Sequence, residues 1–445
     1  MPGTAGASGM VAGPLAHLDA PPLAGEEGVI LVAQELAPQE VLALEEGRVR
    51  GIILASGGAS SLALVMARNR GLPALVGLGD LSALRHGEPA ILDGDRPGVW
   101  LHPNPDRLAE AAARQNNSGP GGVVGHHGQL PAESVDGWRL EIMANLDLAQ
   151  GAAYALAQGA QGVGLFRSES YIAASPGGMV DEEMLTTLYE HLLTIFAPWP
   201  VTVRLLDILE QGNSALGTRG VRAMGHPDQA RQESQLRALL RAAPSGRLRL
   251  LLPMLTSSDQ LREFHILLAR LAGEVGGPQQ QEEGPGVEVG GLIEVPAAVS
   301  RLPELVAHLD FLTIGSNDLI QFVTAADRDE RRLAPLYDPL DSLVLDLCQQ
   351  VVEIGHGHGL EVGLCGEWAA DPLALPLLLG LGLDGLSVAP ARIPGLKEEL
   401  RALDHGRCRQ LVRKVRLAGD SEARAKLLAA FAAGEPGEEA GSGEK

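Results

Sequence analysis

Arg167, Arg204, Arg219 and Arg328 each lie at the end of a short apolar run or in the polar stretch that follows one. A guanidinium is a planar fork that grips a phosphate or a carboxylate through paired hydrogen bonds. Glu294 and the pair Asn317-Asp318 close two further apolar runs. Two carboxylates are hard oxygen ligands for a Mg²⁺ that keeps waters and completes its shell with substrate oxygens. Asn317 can hold a phosphate or a water. Cys365 ends another run, "EVGLC", just before Gly366-Glu367. Of the titratable groups in this set, it alone can exchange a proton with carbon without competing strongly for Mg²⁺. A small molecule bearing both a phosphate and a carboxylate would use all of these groups. Taken singly, each has a plainer reading: a surface ion pair for an arginine, core packing for the cysteine, a helix cap for Glu294. The set is stronger than its members because all fall at the same kind of place.

That place is the end of a strand. The runs "RLEIMANLD", "GVGLFRSE", "VTVRLLDI", "LRLLLPML", "VEVGGLIEVP", "FLTIGSND", "EVGLCGEW" and "GLSVAP" alternate with helix-like stretches such as "AQGAAYALAQGA" and "SQLRALLRAA". Eight strand–helix units predict a (β/α)8 TIM barrel, whose C-terminal strand ends converge on one rim. On this reading Arg167 ends the second strand, with Glu169 two residues on. Arg204 and Asp207 belong to the third strand and Arg219 to its loop. Glu294 ends the fifth strand, Asn317-Asp318 the sixth with Arg328 in its loop, and Cys365 the seventh.

Ahead of the barrel the pattern differs. "GVILVAQEL", "VRGIILAS" and "LPALVG" read as buried strands, "PQEVLALEE" and "SSLALVMARNR" as helices, and "EPAILDGDRPGVWLHP" as a hairpin. The expected organisation is a small α/β domain over 1–114, a Gly-rich linker over 115–136, the barrel over 137–431 and a disordered tail over 432–445. The stretch 273–286, "GEVGGPQQQEEGPG", reads as a surface loop.

A formal charge of −21 argues against nucleic acid and against an anionic membrane surface as partners. An anionic substrate stays possible where arginines override the global field. Cys348, Cys365 and Cys408 are too few and too widely spaced for a disulfide framework or a zinc cluster. The most apolar run, "PLALPLLLGLGL", is too short for a membrane span, and the N-terminus is a poor signal peptide. A cytoplasmic protein is expected.

The segments "GVGLFRSE", "VTVRLLDI", "ALGTRGVR", "LIEVPAA", "FLTIGSNDLIQFVTAADR", "PLYDP" and "VGLCGE" resemble, in order, the barrel motifs of the phosphoenolpyruvate-utilising enzymes. The likeness is strongest to the enzyme I family of the bacterial sugar phosphotransferase system, the phosphoenolpyruvate–protein phosphotransferases. It covers roughly residues 138–400. The first domain is similar to the family's swivelling phosphohistidine domain, down to an opening strand in "ASGMVAGPLAHL". The resemblance implies that Arg167, Arg204, Arg219, Asn317 and Arg328 bind phosphoenolpyruvate and that Glu294 and Asp318 bind Mg²⁺. It further implies that Cys365 handles the proton when enolpyruvate becomes pyruvate, and that the chain dimerises through its barrel; a mixed dimer with a full-length relative belongs to the regulatory alternative below.

Three departures bear on function. The family's helical docking domain lies between the opening strand and the swivel core, which "ASGMVAGPLAHLDAPPLAGEEGVILVA" joins directly. The family turn Gly-Gly-x-Thr-Ser-His carries the phosphoryl acceptor, but here the turn is Gly57-Gly58-Ala59-Ser60-Ser61-Leu62. Leucine has no lone pair to offer a phosphoryl group. After Asp207 the family's Gly-Gly-Asp-Lys is replaced by "LEQG". The leading expectation is an enzyme I-like protein that binds phosphoenolpyruvate with its histidine relay lost. The alternative is a regulatory, phosphoenolpyruvate-sensing or interaction pseudoenzyme. Substitute acceptors at Ser60, Ser61, His126 or His127, and a different barrel enzyme acting on phosphoenolpyruvate or pyruvate, complete the set.

Overall fold

The computed structural model describes residues 4–433 except 8–9, 19, 21–27, 37–47, 57–71, 95–97, 106, 109–110, 112–125, 175–179, 208–216, 218, 224–228, 284–285 and 329. The Gly57-Gly58 turn with Ser60, Ser61 and Leu62, the two expected helices of the first domain, the altered loop after Asp207 and residues 434–445 lie outside the described residues.

The first domain is a seven-stranded sheet in the order β1-β5-β4-β3-β2-β6-β7. Its strands are β1 (Thr4–Ala7), β2 (Met10–His17), β3 (Val29–Ala33), β4 (Val49–Leu54), β5 (Ala74–Val76), β6 (Pro89–Asp93) and β7 (Gly98–Leu101). β2 to β5 run parallel, and β3 is buried at every position, as a strand covered on both faces must be. β6 and β7 form the expected antiparallel hairpin. β2 pairs directly with β3, Leu15 opposite Ile30, and only residues 18–28 join them, too few to hold a helical domain. On one face Val29, Leu31, Ile52 and Leu54 pack with Leu148, and Tyr171 lies beside them. Both of these residues come from the second domain.

That second domain is a closed barrel of eight parallel strands. They are β8 (Glu141–Leu146), β9 (Val163–Phe166), β10 (Val201–Arg204), β11 (Leu248–Leu252), β12 (Glu288–Ile293), β13 (Phe311–Gly315), β14 (Glu361–Cys365) and β15 (Gly385–Val388). All eight strands anticipated from the apolar runs are present. Inside, Leu165, Leu251, Leu292, Phe311 and Cys365 form one packed cluster. Outside, helices turn apolar stripes to the strands. In Glu182–Phe196, Leu185, Tyr189, Leu192, Leu193 and Phe196 are buried, and Asp181 caps the first turn by accepting from Glu183 N and Met184 N.

At the N-terminal face of the barrel, Arg249 is buried and its fork spans Glu288 Oε2 (2.7 Å) and Glu361 Oε2 (2.6 Å). Its guanidinium lies 5.0 Å from the centre of the Phe311 ring. The same face also receives the chain that enters the barrel. Residues 115–125 lie outside the described residues, but His126–Gln129 is helical and Glu133 bridges to Arg139. Lys397 Nζ donates to Gly128 O at 2.9 Å and to Gly159 O at 2.7 Å, so this segment is docked onto the barrel.

The surface loop expected over 273–286 is corrected, because the helix Ser258–Glu283 runs through most of it. Leu271 and Ala272 are buried, Val275 packs against the core, and Arg270 holds Glu274 one turn on at 2.6 Å. These contacts outweigh the poor helix propensity of the glycines. All three cysteines are free and buried. Among the described residues, no helix is long and apolar enough to cross a membrane.

Candidate functional site

Barrel closure carries the strand ends to one rim, and the arginines there are held by carboxylates. Arg167, just past β9, pairs with Asp147, just past β8, through Nε–Oδ1 at 2.6 Å and Nη2–Oδ2 at 3.0 Å. Arg204, the last residue of β10, donates through Nη2 to Glu169 Oε1 at 2.5 Å and lies 3.5 Å from Asp207 Oδ2. Glu169 Oε1 also accepts from Asp207 N at 3.2 Å. Arg219 forks onto Asp207 through Nε (3.1 Å) and Nη2 (2.6 Å), and reaches Asp318 Oδ1 at 3.4 Å. Asp207 and Arg219 are both buried. Burial works against the Asp207 carboxylate, but Arg204 and Arg219 outweigh it and hold the group below its ordinary pKa.

Glu294 does not cap the following helix, whose N-cap is Val295. It is 2% exposed and accepts from Met254 N at 2.7 Å. Met254 holds φ at 61°, a left-handed conformation costly for a residue with a Cβ, and its N–H meets the carboxylate from there. Burial pushes the Glu294 carboxyl up to about 8; the charges of Asp318 and Asp207 add to this, and Arg204 opposes it. Two carboxylates that repel each other beside a set of arginines suit a divalent cation. Glu294 and Asp318 therefore fit Mg²⁺ as a pair, with the rest of its shell left to water and substrate. Among the described residues, no cluster of three or more His, Cys, Asp or Glu side chains is arranged to hold a metal by itself.

Asn317 opens the helix Ser316–Thr324. Its Oδ1 accepts from Glu367 N at 3.1 Å, and its carbonyl accepts from Tyr337 OH at the same distance. Ser316 Oγ donates to Cys365 O at 2.8 Å. These bonds hold the ends of β13 and β14 together, and Gly366 makes room for them. It sits at φ 114°, and a Cβ there would come within 2.2 Å of Ser316 Oγ. Cys365 is 4% exposed. Burial pushes its thiol up to about 12, with Glu294 adding and Arg167 and Arg204 opposing.

The structure thus brings together Arg167, Arg204, Arg219, Glu294, Asn317, Asp318 and Cys365. Arg328 stands apart, exposed in the turn after Ser316–Thr324, with its backbone N–H on Gln321 Oε1 at 3.4 Å. Sequence reasoning missed three contributors. Asp147 follows β8 and was detectable by the strand-end rule that flagged the others. Arg222 lies close enough to feel Arg219, Glu294 and Asp207, and burial comes first in lowering its pKa. Gln235 sits mid-helix with no local signal. Its Oε1 accepts from Leu206 N at 2.9 Å, and its Nε2 donates to Arg204 O at 3.0 Å and Ser168 Oγ at 3.2 Å.

Comparison with known proteins bears on both domains. Residues 123–405 match the family described as PEP-utilising enzyme, PEP-binding domain, and residues 25–97 match PEP-utilising enzyme, mobile domain. The chain is 35% identical over 417 residues to the phosphoenolpyruvate-protein phosphotransferase of Cupriavidus necator, covering 90% of this chain and 71% of that protein. It is 34% identical over 412 residues to the protein of that name from Geobacillus stearothermophilus, covering 87% and 70%. It is 35% identical over 426 residues to multiphosphoryl transfer protein 1 of Escherichia coli strain K12, covering 91% of this chain and 50% of that protein.

Proposed function

The chain belongs to the phosphoenolpyruvate-utilising enzymes, and from that premise we propose that its barrel binds phosphoenolpyruvate with Mg²⁺ while the histidine relay of its first domain is lost. The observation that carries the reading is the lattice at the rim, where Arg204 and Arg219 share Asp207 and reach Glu169 and Asp318. Substrate oxygens would replace some of these carboxylates on forks already in place, so little ordering remains to be paid on binding. Arg167, Arg204, Arg219 and Asn317 take the phosphate and carboxylate, and Arg328 would have to move in from its exposed turn to join them. Glu294 and Asp318 hold Mg²⁺. The ion supplies charge neutralisation at the phosphoryl and enolate oxygens.

Cys365 keeps its proton at neutral pH because burial pushes the thiol up to about 12. It can release that proton to the methylene carbon of enolpyruvate, the carbon's π electrons taking it up as the enolate becomes the ketone. The phosphoryl group would need an acceptor, and Leu62 stands where the family carries histidine. Transfer to this chain's own first domain is therefore not expected.

Calorimetry with phosphoenolpyruvate and Mg²⁺ tests the reading. Saturable heat that is lost in Arg204→Ala supports it; no heat from the unaltered chain would sink it. Incubation with phosphoenolpyruvate labelled in the phosphoryl group tests the lost relay. The expected result is no label retained on the protein, acid-labile or acid-stable. Label on Ser60, Ser61, His126 or His127 would overturn that part alone.

A second reading is favoured by the direct join of β2 and β3 through residues 18–28, which leaves no docking domain between them. A cytoplasmic protein without one would act as a phosphoenolpyruvate sensor, or as a barrel partner of a full-length relative. Mixed dimers recovered on co-expression would favour this reading, and strict homodimers would count against it.

A further inference from the structure

At the N-terminal end of the barrel, opposite the arginine lattice, a cleft of about 400 Å³ opens beside the helix His405–Leu417. One wall is that helix, where His405, Arg409 and Arg413 follow one another a turn apart. The facing wall is the helix Ser342–Gly357, which contributes Gln349 and Glu353. Trp138, just ahead of β8, closes one side.

Three features set this cleft apart from an ordinary surface groove. Arg409 and Arg413 are exposed and form no ion pair among the described residues, whereas Arg416 on the same stripe is tied to Asp346 at 2.5 Å. His405 is 9% exposed, and its Nε2 is buried with no hydrogen-bond partner among the described residues. Buried polar atoms are rarely left so. The imidazole is also fixed in place: its ring stacks on Trp138 with centroids 4.0 Å apart and an interplanar angle of 27°, and its backbone N–H donates to Asp136 Oδ1 at 2.9 Å. Burial, with Arg409 adding and Asp136 opposing, holds this histidine below its ordinary pKa.

We propose that this cleft is a second small-molecule site, one that takes a compact zwitterion bearing a phosphate or carboxylate. The anionic group lies against Arg409 and Arg413, beside the stacked His405 and Trp138 rings, and an ammonium or hydroxyl of the same molecule donates to Glu353 and Gln349. Two guanidiniums without partners select an anion, since each offers a charged fork. Glu353 on the facing wall selects against a bare polyanion and for a ligand with a donor at its other end. The volume lies within the range of small-ligand pockets. Nothing in this site overlaps the barrel rim, so it would modulate the rim chemistry or anchor a metabolite independently of it.

Calorimetric titration of the full chain with O-phospho-L-serine tests the site, with L-serine and inorganic phosphate as probes lacking one half of the chemistry. Saturable binding of O-phospho-L-serine is expected, at least ~10-fold weaker in the Arg409→Ala/Arg413→Ala double variant. Glu353→Gln should weaken O-phospho-L-serine but leave inorganic phosphate unchanged. Both arginines are exposed, so the double variant should keep the unaltered melting temperature and its heat with phosphoenolpyruvate and Mg²⁺. Fluorescence gives a second measurement: the probe should change the emission of the unaltered chain, and Trp138→Phe should remove that change. An unaltered chain giving no saturable heat, or identical isotherms for it and the double variant, would overturn the proposal; the second result would mean the probe binds elsewhere, such as at the barrel rim.

Discussion

Glu294 is buried among other acids and still accepts a backbone hydrogen bond from a strained Met254. Its folded pKa of about 8 lies above the ordinary 4.5. The folded chain therefore binds more protons than the unfolded chain between those values, and stability from this group falls as pH rises through about 8. It is fully present below about 4.5. Glu294→Gln removes the titration and keeps an oxygen for Met254 N. In metal-free buffer with chelator, the variant should melt close to the unaltered chain at pH 4.5 and about 1–3 °C higher at pH 8.5. A constant difference across that range would contradict the assignment. Cys365 yields a separate test. A thiol pushed up to about 12 and 4% exposed should resist alkylation at pH 7.5. Rapid modification of Cys365, mapped by mass spectrometry, would show that the barrel interior opens.

Between residue and fold stand the elements that aim the site. β10 ends at Arg204; Leu205 N still donates to Leu251 O of β11 at 2.9 Å, but the backbone of Leu206 must find its partners outside the sheet. Gln235, from the helix Gln229–Ala242, does this with bonds to Leu206 N and Arg204 O, and Gln232 adds bonds to Leu206 O (3.2 Å) and Gly220 O (2.8 Å). Both glutamines are buried. Gln235→Leu is close in volume and leaves the backbone groups of Arg204 and Leu206 without their partner, at a cost of about 1–3 kcal/mol. Urea melts should show that loss, and calorimetry should show weaker binding of phosphoenolpyruvate. Lower stability with unchanged affinity would mean the helix supports the barrel without aiming Arg204. Gly366 is the other control point, because any side chain there would strike Ser316 and Asn317.

At the scale of the whole molecule, two domains of one enzyme family are joined, and the proposed loss of the relay rests on Leu62 in the first. If Leu62 is all that breaks the relay, Leu62→His should gain an acid-labile phosphoryl label from phosphoenolpyruvate that the unaltered chain lacks. Failure to label, in a variant that still binds phosphoenolpyruvate, would place the defect elsewhere, for instance in the altered loop after Asp207. The barrel was legible in the sequence because parallel strands covered on both faces are continuous apolar runs, and polar residues at their ends mark the rim. The grouping of seven strand-end residues was legible for that reason. The carboxylate that each arginine holds was not, because such pairing joins positions far apart in the chain, as Arg219 and Asp318 are. Nor was the helix through 273–283, where packing of Val275 overrides weak local propensity. Residue type and spacing alone thus determined which groups this protein brings to its rim; barrel closure decided which of them touch, how deeply Glu294 and Cys365 are buried and how far their pKa values move, because burial and charge act through space rather than along the chain.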